Sequence, residues 1–395
     1  MSTLCSENLL TYIFNTSSVK PGLAPQKFHR LIVEGLTMHG NDCLVETLGV
    51  LPIIARNNRK KIWNVSTEIV DKITYNYIPT INLPLIKNVL VFIYAFLKVV
   101  SWGLSGGRNN KIIICDALNF SITLAAQMAS KILNIKIYGI MTDLPESIIA
   151  NSQDKRGIKT EIYDKWFSTV IYHFTGFIFL TEMMNDVVNT FHKPYIVMEG
   201  LVDINLKESI HNDKIKLNER VLIYAGGIYE KYGIKKLLEA FIKLENNDLR
   251  LHIYGHGDME KLMPLYMKKD NRIVYKGIVP NRIVVDQLPK ATLLINPRPS
   301  DGVYTQYSFP SKNMEYMVSG TAFVTTPLPG IPKEYYDYVY LFEDETVDGM
   351  RNKLKYLLSL ADEELAKKGK LAKQFVLKNK NNLIQSGRIL DLCFK

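Results

Sequence analysis

"VLIYAGGIYEKYGIKKLLEAFI", residues 221–242, reads as three pieces in a fixed order. Val221–Ala225 is a short, continuous apolar run. Two glycines and a polar turn follow. Then Ile234, Leu237, Leu238, Phe241 and Ile242 recur at the spacing of one helix face. A strand with no apolar/polar alternation is buried on both faces, which is the habit of a parallel sheet covered by helices. This strand–loop–helix unit implies an α/β protein.

Working outward, further apolar strands are expected at 249–254, 272–276, 291–296, 321–325 and 338–342. The N-terminal half restarts the pattern. "NLLTYIF" (8–14) reads as a β-rich run, followed by the loop "NTSSVKPGLA". A helix carrying Phe28, Leu31, Ile32 and Leu36 then stops near Gly40. Strands are expected at 43–49, 111–115, 135–140, 175–180 and 194–198, with helices around 120–133 and 183–191. The polar stretch 207–220 reads as a linker. The expected organisation is two Rossmann-like α/β domains, 1–206 and 207–378, with a C-terminal helix in 379–395 that can pack back on the first. At 395 residues, two domains are also the prior from length. Ligands in such sheets bind beyond the carboxyl ends of the strands, and a cleft between two domains is the default site.

Composition narrows the classes. The chain is 47% hydrophobic and 22% charged, as globular proteins are. Its four scattered cysteines, Cys5, Cys43, Cys115 and Cys393, have no metal-like spacing and suit a reducing compartment. The N-terminal residues lack the basic region and cleavage site of a signal peptide. A net charge of +10 points to an anionic partner, yet no nucleic-acid-binding signature is present. Residues 85–104, "LIKNVLVFIYAFLKVVSWGL", are interrupted by Lys87 and Lys98 and fall short of an uninterrupted bilayer span. Two readings stand: a core helix, or an interfacial helix on an anionic membrane with its lysines directed at phosphates.

The post-strand loops carry the candidate chemistry. Gly226 and Gly227, with Lys231 nearby, suit close approach of backbone N–H groups to a phosphate, and a plain turn explains them too. Gly255 and Gly257 repeat the theme. Arg298 stands where the chain leaves a strand in "INPRPSDG". In "YSFPSKNMEYMVSG" (307–320) a helix is expected to open at Pro310, a favoured first residue. Lys312 in that first turn opposes the helix dipole unless an anion sits there, and Glu315 shares its face. A surface Lys–Glu pair is the bland alternative. In the first half, Asp116 and Asp143 lie at strand ends and can hold ligand hydroxyls. Asp143 serves equally as a helix N-cap ahead of Pro145 and Glu146. His29 reads as a helix surface residue that can also face the cleft. No DxD motif occurs, and the histidines show no metal spacing.

The segment "FPSKNMEYMVSGTAFVTTPLPGIPKEY", with "LLINPR" and "YAGGIYEKYGIKKLLEAF" before it, resembles the C-terminal domain of retaining GT-B glycosyltransferases of family 4. "PGLAPQKFHRLIVEGL", "CDALN", "TDLPE" and "FLTEMMNDVVN…MEGLVD" look like a branch used in bacterial capsule, exopolysaccharide or O-antigen synthesis. The resemblance runs along nearly the whole chain. It implies that Glu315 is the second glutamate of an E-x7-E motif and binds the donor ribose. Ser311 and Lys312 would bind the diphosphate, Gly226 and Gly227 would form the first loop, and Lys231 would be that loop's lysine. The backbone at Ile278 would recognise the base, and Gly22 would approach the diphosphate from the other domain. One departure stands out: Tyr307 occupies the place of the first glutamate, and Asp301, Gln306 or Tyr307 is left to contact the donor sugar.

The function the resemblance implies is transfer of a sugar from a UDP- or GDP-sugar to a lipid-linked or soluble saccharide, with retention; the lack of a DxD motif adds the expectation that no metal cofactor is needed. Lys312, Lys231 and Arg298 would stabilise the leaving diphosphate. The expected location is cytoplasmic, peripheral on the inner face of the plasma membrane. A nucleotide-sugar 2-epimerase of the same fold, and a non-catalytic partner subunit, are the alternatives.

Overall fold

The computed structural model describes residues 1–40, 43–65, 67–71, 73–106, 110–145, 158–207 and 219–394. The chain forms two compact units, Met1–Leu201 with Asn382–Lys395, and Val202–Asn381. The boundaries fall at 201/202 and 381/382 rather than at 206/207 and 378/379. The reason is local: Val202 donates its N–H to Lys380 O (2.9 Å) and bridges Asn381, so both crossings of the chain run side by side. Most of the expected linker, 208–218, lies outside the described residues.

In the first unit the strands are β1 (Ser2–Thr3), β2 (Gly49–Val50), β3 (Ile62–Trp63), β4 (Thr67–Val70), β5 (Ile73–Asn76), β6 (Thr80–Ile81), β7 (Ile112–Asp116), β8 (Lys136–Met141), β9 (Gly176–Phe179) and β10 (Tyr195–Val197). Helices α1 (Glu7–Thr16), α2 (Leu23–Thr37), α3 (Ile86–Leu104), α4 (Phe120–Leu133), α5 (Ile158–Tyr172) and α6 (Glu182–Val188) accompany them. The sheet is parallel in the order β10–β9–β8–β7. β1 lies beside β7 through the bond from Asp116 N–H to Met1 O (2.9 Å) and pairs in parallel with β2. Two small antiparallel pairs, β3–β6 and β4–β5, were not anticipated from sequence.

Two expected strands fail. Residues 8–14 lie in helix α1. Ser6 caps that helix, its side chain accepting the N–H of Leu9 (3.2 Å), with Glu7 in the first turn. Leu9, Leu10 and Ile13, at helical spacing, then pack into one cluster with Leu4, Leu51 and Trp63. The cap and this burial outweigh the local β preference. The strand expected at 43–49 shrinks to Gly49–Val50. Thr47 pairs with β5 through its side chain, donating to Thr74 O (2.8 Å) and accepting from Asn76 N–H (3.0 Å), so the backbone ladder does not form there.

The last helix, Asn382–Phe394, belongs to the first unit and lies against α2. Contact is tight at Gly35, where a Cβ would sit 2.2 Å from Asn382 O. His39 and Ser386 share a 3.0 Å hydrogen bond across the pair.

The second unit holds β11 (Arg220–Ala225), β12 (Leu249–Tyr254), β13 (Ile273–Gly277), β14 (Leu293–Asn296), β15 (Phe323–Thr325) and β16 (Tyr340–Leu341). Its helices are α7 (Ile234–Ile242), α8 (Met263–Lys269), α9 (Asn281–Gln287), α10 (Ser311–Ser319), α11 (Val347–Ser359) and α12 (Asp362–Asn379). All six strands are parallel in the order β13–β12–β11–β14–β15–β16, the doubly wound order in which the direction of winding reverses between the first and fourth strands. Leu222, Leu293, Ile295 and Val324 are almost wholly buried between the helix layers, which explains the unbroken apolar runs of β11, β14 and β15, whereas in β12 Arg250 and His252 alternate with buried Leu249, Leu251 and Ile253.

Candidate functional site

The loops leaving β11 and β14 flank the reversal point, so topology places Gly226, Gly227 and Arg298 where a doubly wound sheet binds ligands. Two glycines hold these loops, and the loop leaving β12, together. Gly233 has φ +79°, and a Cβ there would lie 2.0 Å from Pro297 O. Gly255 has φ +128°, and its Cβ would lie 1.8 Å from Gly226 O. The loop leaving β11 therefore approaches those leaving β12 and β14 backbone to backbone, as a site built from N–H groups requires.

Helix α10 starts one residue later than expected. Pro310 is its N-cap, with extended ψ of 111°, and Ser311 is the first helical residue. No side chain caps this end. Lys312 Nζ donates to Glu315 Oε2 (2.7 Å) and to Asn281 Oδ1 (2.9 Å), while Asn281 Nδ2 lies 3.4 Å from Glu315 Oε1. Glu315 and Asn281 thus hold a cation that the helix dipole opposes. Glu315 is 11% exposed at its side chain and Lys312 30%, so the pair is more enclosed than a solvated surface bridge. An ammonium has three donors, and these two contacts leave one for an anion. Asn281 opens α9, directly after the loop that contains the exposed Ile278.

Tyr316, next to Glu315, ties α10 to the end of β11. Its hydroxyl accepts from Ala225 N–H (2.7 Å) and lies 3.3 Å from Ala225 O. Burial raises the Tyr316 phenol well above its ordinary pKa, so it stays a neutral donor. Tyr224, also pushed up by burial, donates to Gly227 O (2.7 Å). These bonds fix the backbone of the glycine loop relative to the start of α10.

Arg298 lies over the Tyr232 ring, 4.3 Å from its centroid, with Nη1 3.5 Å from Ser308 Oγ. Its Nε is buried and has no hydrogen-bond partner. Lys231 Nζ sits 5.6–6.0 Å from the centroids of Tyr229, Tyr232 and Tyr304. Tyr304 in turn donates its hydroxyl proton to Lys231 O (3.0 Å). Two cations and an aromatic surface are thereby gathered beside the glycine loop. Tyr307, in the place of the first glutamate, ends the 3-10 turn Val303–Tyr307 and is half-buried, whereas Asp301 is exposed.

Gly22, Asp116 and Asp143 lie in the first unit. Gly22 is the N-cap of α2 and is exposed. A Cβ there would meet only Pro25 Cδ at 3.8 Å, so packing does not demand glycine. Asp116 ends β7 and accepts from Leu118 N–H (3.0 Å). Asp143 follows β8 and accepts from Leu144 N–H (2.9 Å); Glu146 lies outside the described residues. His29 is not on a helix surface. It is 3% exposed, because that side of α2 faces β1 and its Nδ1 lies 3.4 Å from Thr3 O. Burial lowers its pKa, with the Asp116 charge acting in the opposite direction.

Sequence reading missed Asn281, Tyr232, Tyr304 and Tyr316. For Asn281 a signal existed: "VPN" follows a strand ending on Gly277, as "FPS" opens α10. Among the described residues, no group of three or more His, Cys, Asp or Glu could hold a metal ion.

Residues 219–360 match the family model described as glycosyl transferases group 1. No curated protein matches the chain in sequence. Solved structures match over nearly all of it. HepE of Anabaena, in complex with UDP, is 14% identical with a TM-score of 0.63, covering 95% of this chain and 97% of its own. Sucrose-phosphate synthase from Thermosynechococcus elongatus is 13% identical with a TM-score of 0.65, covering 93% and 92%. The lipopolysaccharide outer core galactosyltransferase WaaB, in apo form, is 15% identical with a TM-score of 0.60, covering 96% and 97%. The chain therefore has the two-domain, Rossmann-like GT-B fold, and its second unit carries the match to group 1 glycosyltransferases.

Proposed function

We propose that this protein is a retaining glycosyltransferase of the family 4 type that moves a hexose from a nucleoside diphosphate sugar to a growing, lipid-linked oligosaccharide of a bacterial surface polysaccharide. The observation that carries the reading is the enclosed Lys312–Glu315–Asn281 group at the uncapped start of α10. That helix end is pinned through Tyr316 to the glycine loop of β11. UDP is the preferred nucleotide, because HepE was solved with UDP and with UDP-glucose.

In this reading the diphosphate rests on the N–H groups of Ser311 and Lys312, with the third Lys312 donor on a phosphate oxygen. Glu315 accepts from the ribose hydroxyls, and the backbone at Ile278 meets the base. Arg298, whose Nε lacks a partner, and Lys231 supply positive charge beside Gly226–Gly227. The glycosidic C–O bond to the diphosphate breaks as the acceptor hydroxyl attacks the anomeric carbon from the same side. The acceptor proton passes to the departing phosphate oxygen, so no side-chain base is needed. Asp116 and Asp143 position hydroxyls of acceptor or donor. Charge on the leaving group is met by helix N–H groups and cations, in keeping with the lack of a DxD motif, so turnover should need no metal. The site of action is the cytoplasmic side of the plasma membrane.

A panel of nucleotide sugars assayed for released nucleoside diphosphate tests this directly. One donor, expected to be a UDP-hexose, should give slow hydrolysis without acceptor and faster release with a cell-envelope lipid extract. Nucleotide binding with no turnover of any donor would favour the non-catalytic partner, a reading that Tyr307 in the place of a glutamate supports. Interconversion of a free donor at C2 would favour the epimerase.

A further inference from the structure

Helix α3 has two unlike sides. Val91, Ala95, Val99 and Gly103 are buried. The fit against α4 is close, since a Cβ on Gly103 would lie 2.3 Å from Leu133 Cδ1. On the opposite side Ile86, Val89, Ile93, Leu97 and Leu104 form a stripe, each between 46% and 59% exposed. Only about a fifth of the helix's most apolar window (22%) is buried, an unusual state for so apolar a segment. Beside it, α4 leaves Met128 and Ile132 exposed.

The charge carried by α3 and α4 themselves has one sign. From residue 72 to residue 142 the sequence carries seven lysines and arginines and a single acid, Asp116. Neither α3 nor α4 contains Asp or Glu. Lys98, Lys131 and Lys136 are exposed. Lys111 lies over the Trp102 ring, 5.0 Å from its centroid, at the end of α3. Lys87 is different. It is largely withdrawn from solvent, donates to Ile53 O, and has its pKa lowered to about 8 by burial, so it does not reach toward lipid as expected from the sequence.

We infer that the exposed α3 stripe, with the cations of α3 and α4 around it, is a docking surface for the interface of a bilayer rich in anionic phospholipid. An apolar stripe on helices whose only charged residues are lysines matches acyl chains below and phosphates above. The buried side of α3 is committed to the fold, so the helix lies along the bilayer rather than crossing it. A second copy of the chain is the poorer occupant, because a two-fold contact sets like patches, and hence like charges, against each other. The inference goes beyond sugar transfer and does not depend on it.

Co-flotation of the full chain with vesicles tests it. Wild type should float with phosphatidylglycerol-containing vesicles, far less with phosphatidylcholine alone, and less as salt is raised. Ile93→Glu combined with Leu97→Glu should lower the bound fraction at least about tenfold. Both positions are exposed, so melting temperature and UDP affinity should stay unchanged, and the milder Leu97→Gln gives a second reading if the double variant folds poorly. The inference is overturned if wild type stays with the soluble fraction, binds both vesicle types equally, or floats undiminished with these substitutions. It is also overturned if the stripe instead forms a dimer that Leu97→Gln dissociates.

Discussion

The two units are built on one plan and furnished differently. In the second, six parallel strands in doubly wound order bring cations, glycines and helix starts to one edge of the sheet. In the first, a four-stranded sheet is accompanied by two-stranded sheets, two of them antiparallel, and its candidate residues Gly22, Asp116 and Asp143 sit at the start of α2, at the end of β7 and just after β8. On the function proposed above, one unit handles the nucleoside diphosphate and the other the acceptor. Phosphates demand fixed N–H groups at close range, which constrains backbone. An acceptor can be met by interchangeable side chains.

The sharpest way to break this comparison is at its glycines. Gly255→Ala places a Cβ within 1.8 Å of Gly226 O in a backbone region that disfavours side chains. It should cost about 3 kcal/mol or more, read as a drop in the melting temperature or denaturant midpoint of the second unit. Full retention of stability would mean that the two loops are not locked together. Next in size is Lys312→Ala, which should weaken UDP binding by about 1.5–3 kcal/mol in calorimetry, the range for a charge-assisted contact. An unchanged affinity would return Lys312 to a role in stability alone. Gly22→Ala marks the other end of the scale. With only Pro25 Cδ in reach, it should change stability by less than about 0.5 kcal/mol. If Gly22 approaches the donor, turnover should nevertheless fall. A loss of stability instead would show that α2 needs that glycine for folding.

The same contrast governs what could be read from sequence. Val221–Ala225 was legible because both faces of the strand are buried, which leaves an unbroken apolar run; Leu249–Tyr254 was legible by alternation instead, since Arg250 and His252 are only half-buried between buried Leu249, Leu251 and Ile253. The second unit's loops were legible as loops because glycine and proline at strand ends mark turns. In the first unit, "NLLTYIF" misled because its β-favouring residues are overruled by the Ser6 cap and by the cluster around Trp63. Thr47 was illegible for a similar reason: its side chain, not its backbone, makes the cross-strand bonds. Asn281 could not be paired with Lys312 from sequence, since 31 residues separate them and only the sheet order brings α9 beside α10. His29 illustrates the limit for single residues. A histidine one residue from Arg30 and two from Lys27 looks exposed until the strand on which it packs is known.

All of this converges on the start of α10. A crystal of the protein soaked with UDP measures it most directly. The two phosphates should lie within hydrogen-bond distance of Ser311 N–H and Lys312 Nζ, with the ribose hydroxyls on Glu315. UDP ordered elsewhere, with Lys312 still bonded only to Glu315 and Asn281, would contradict the account.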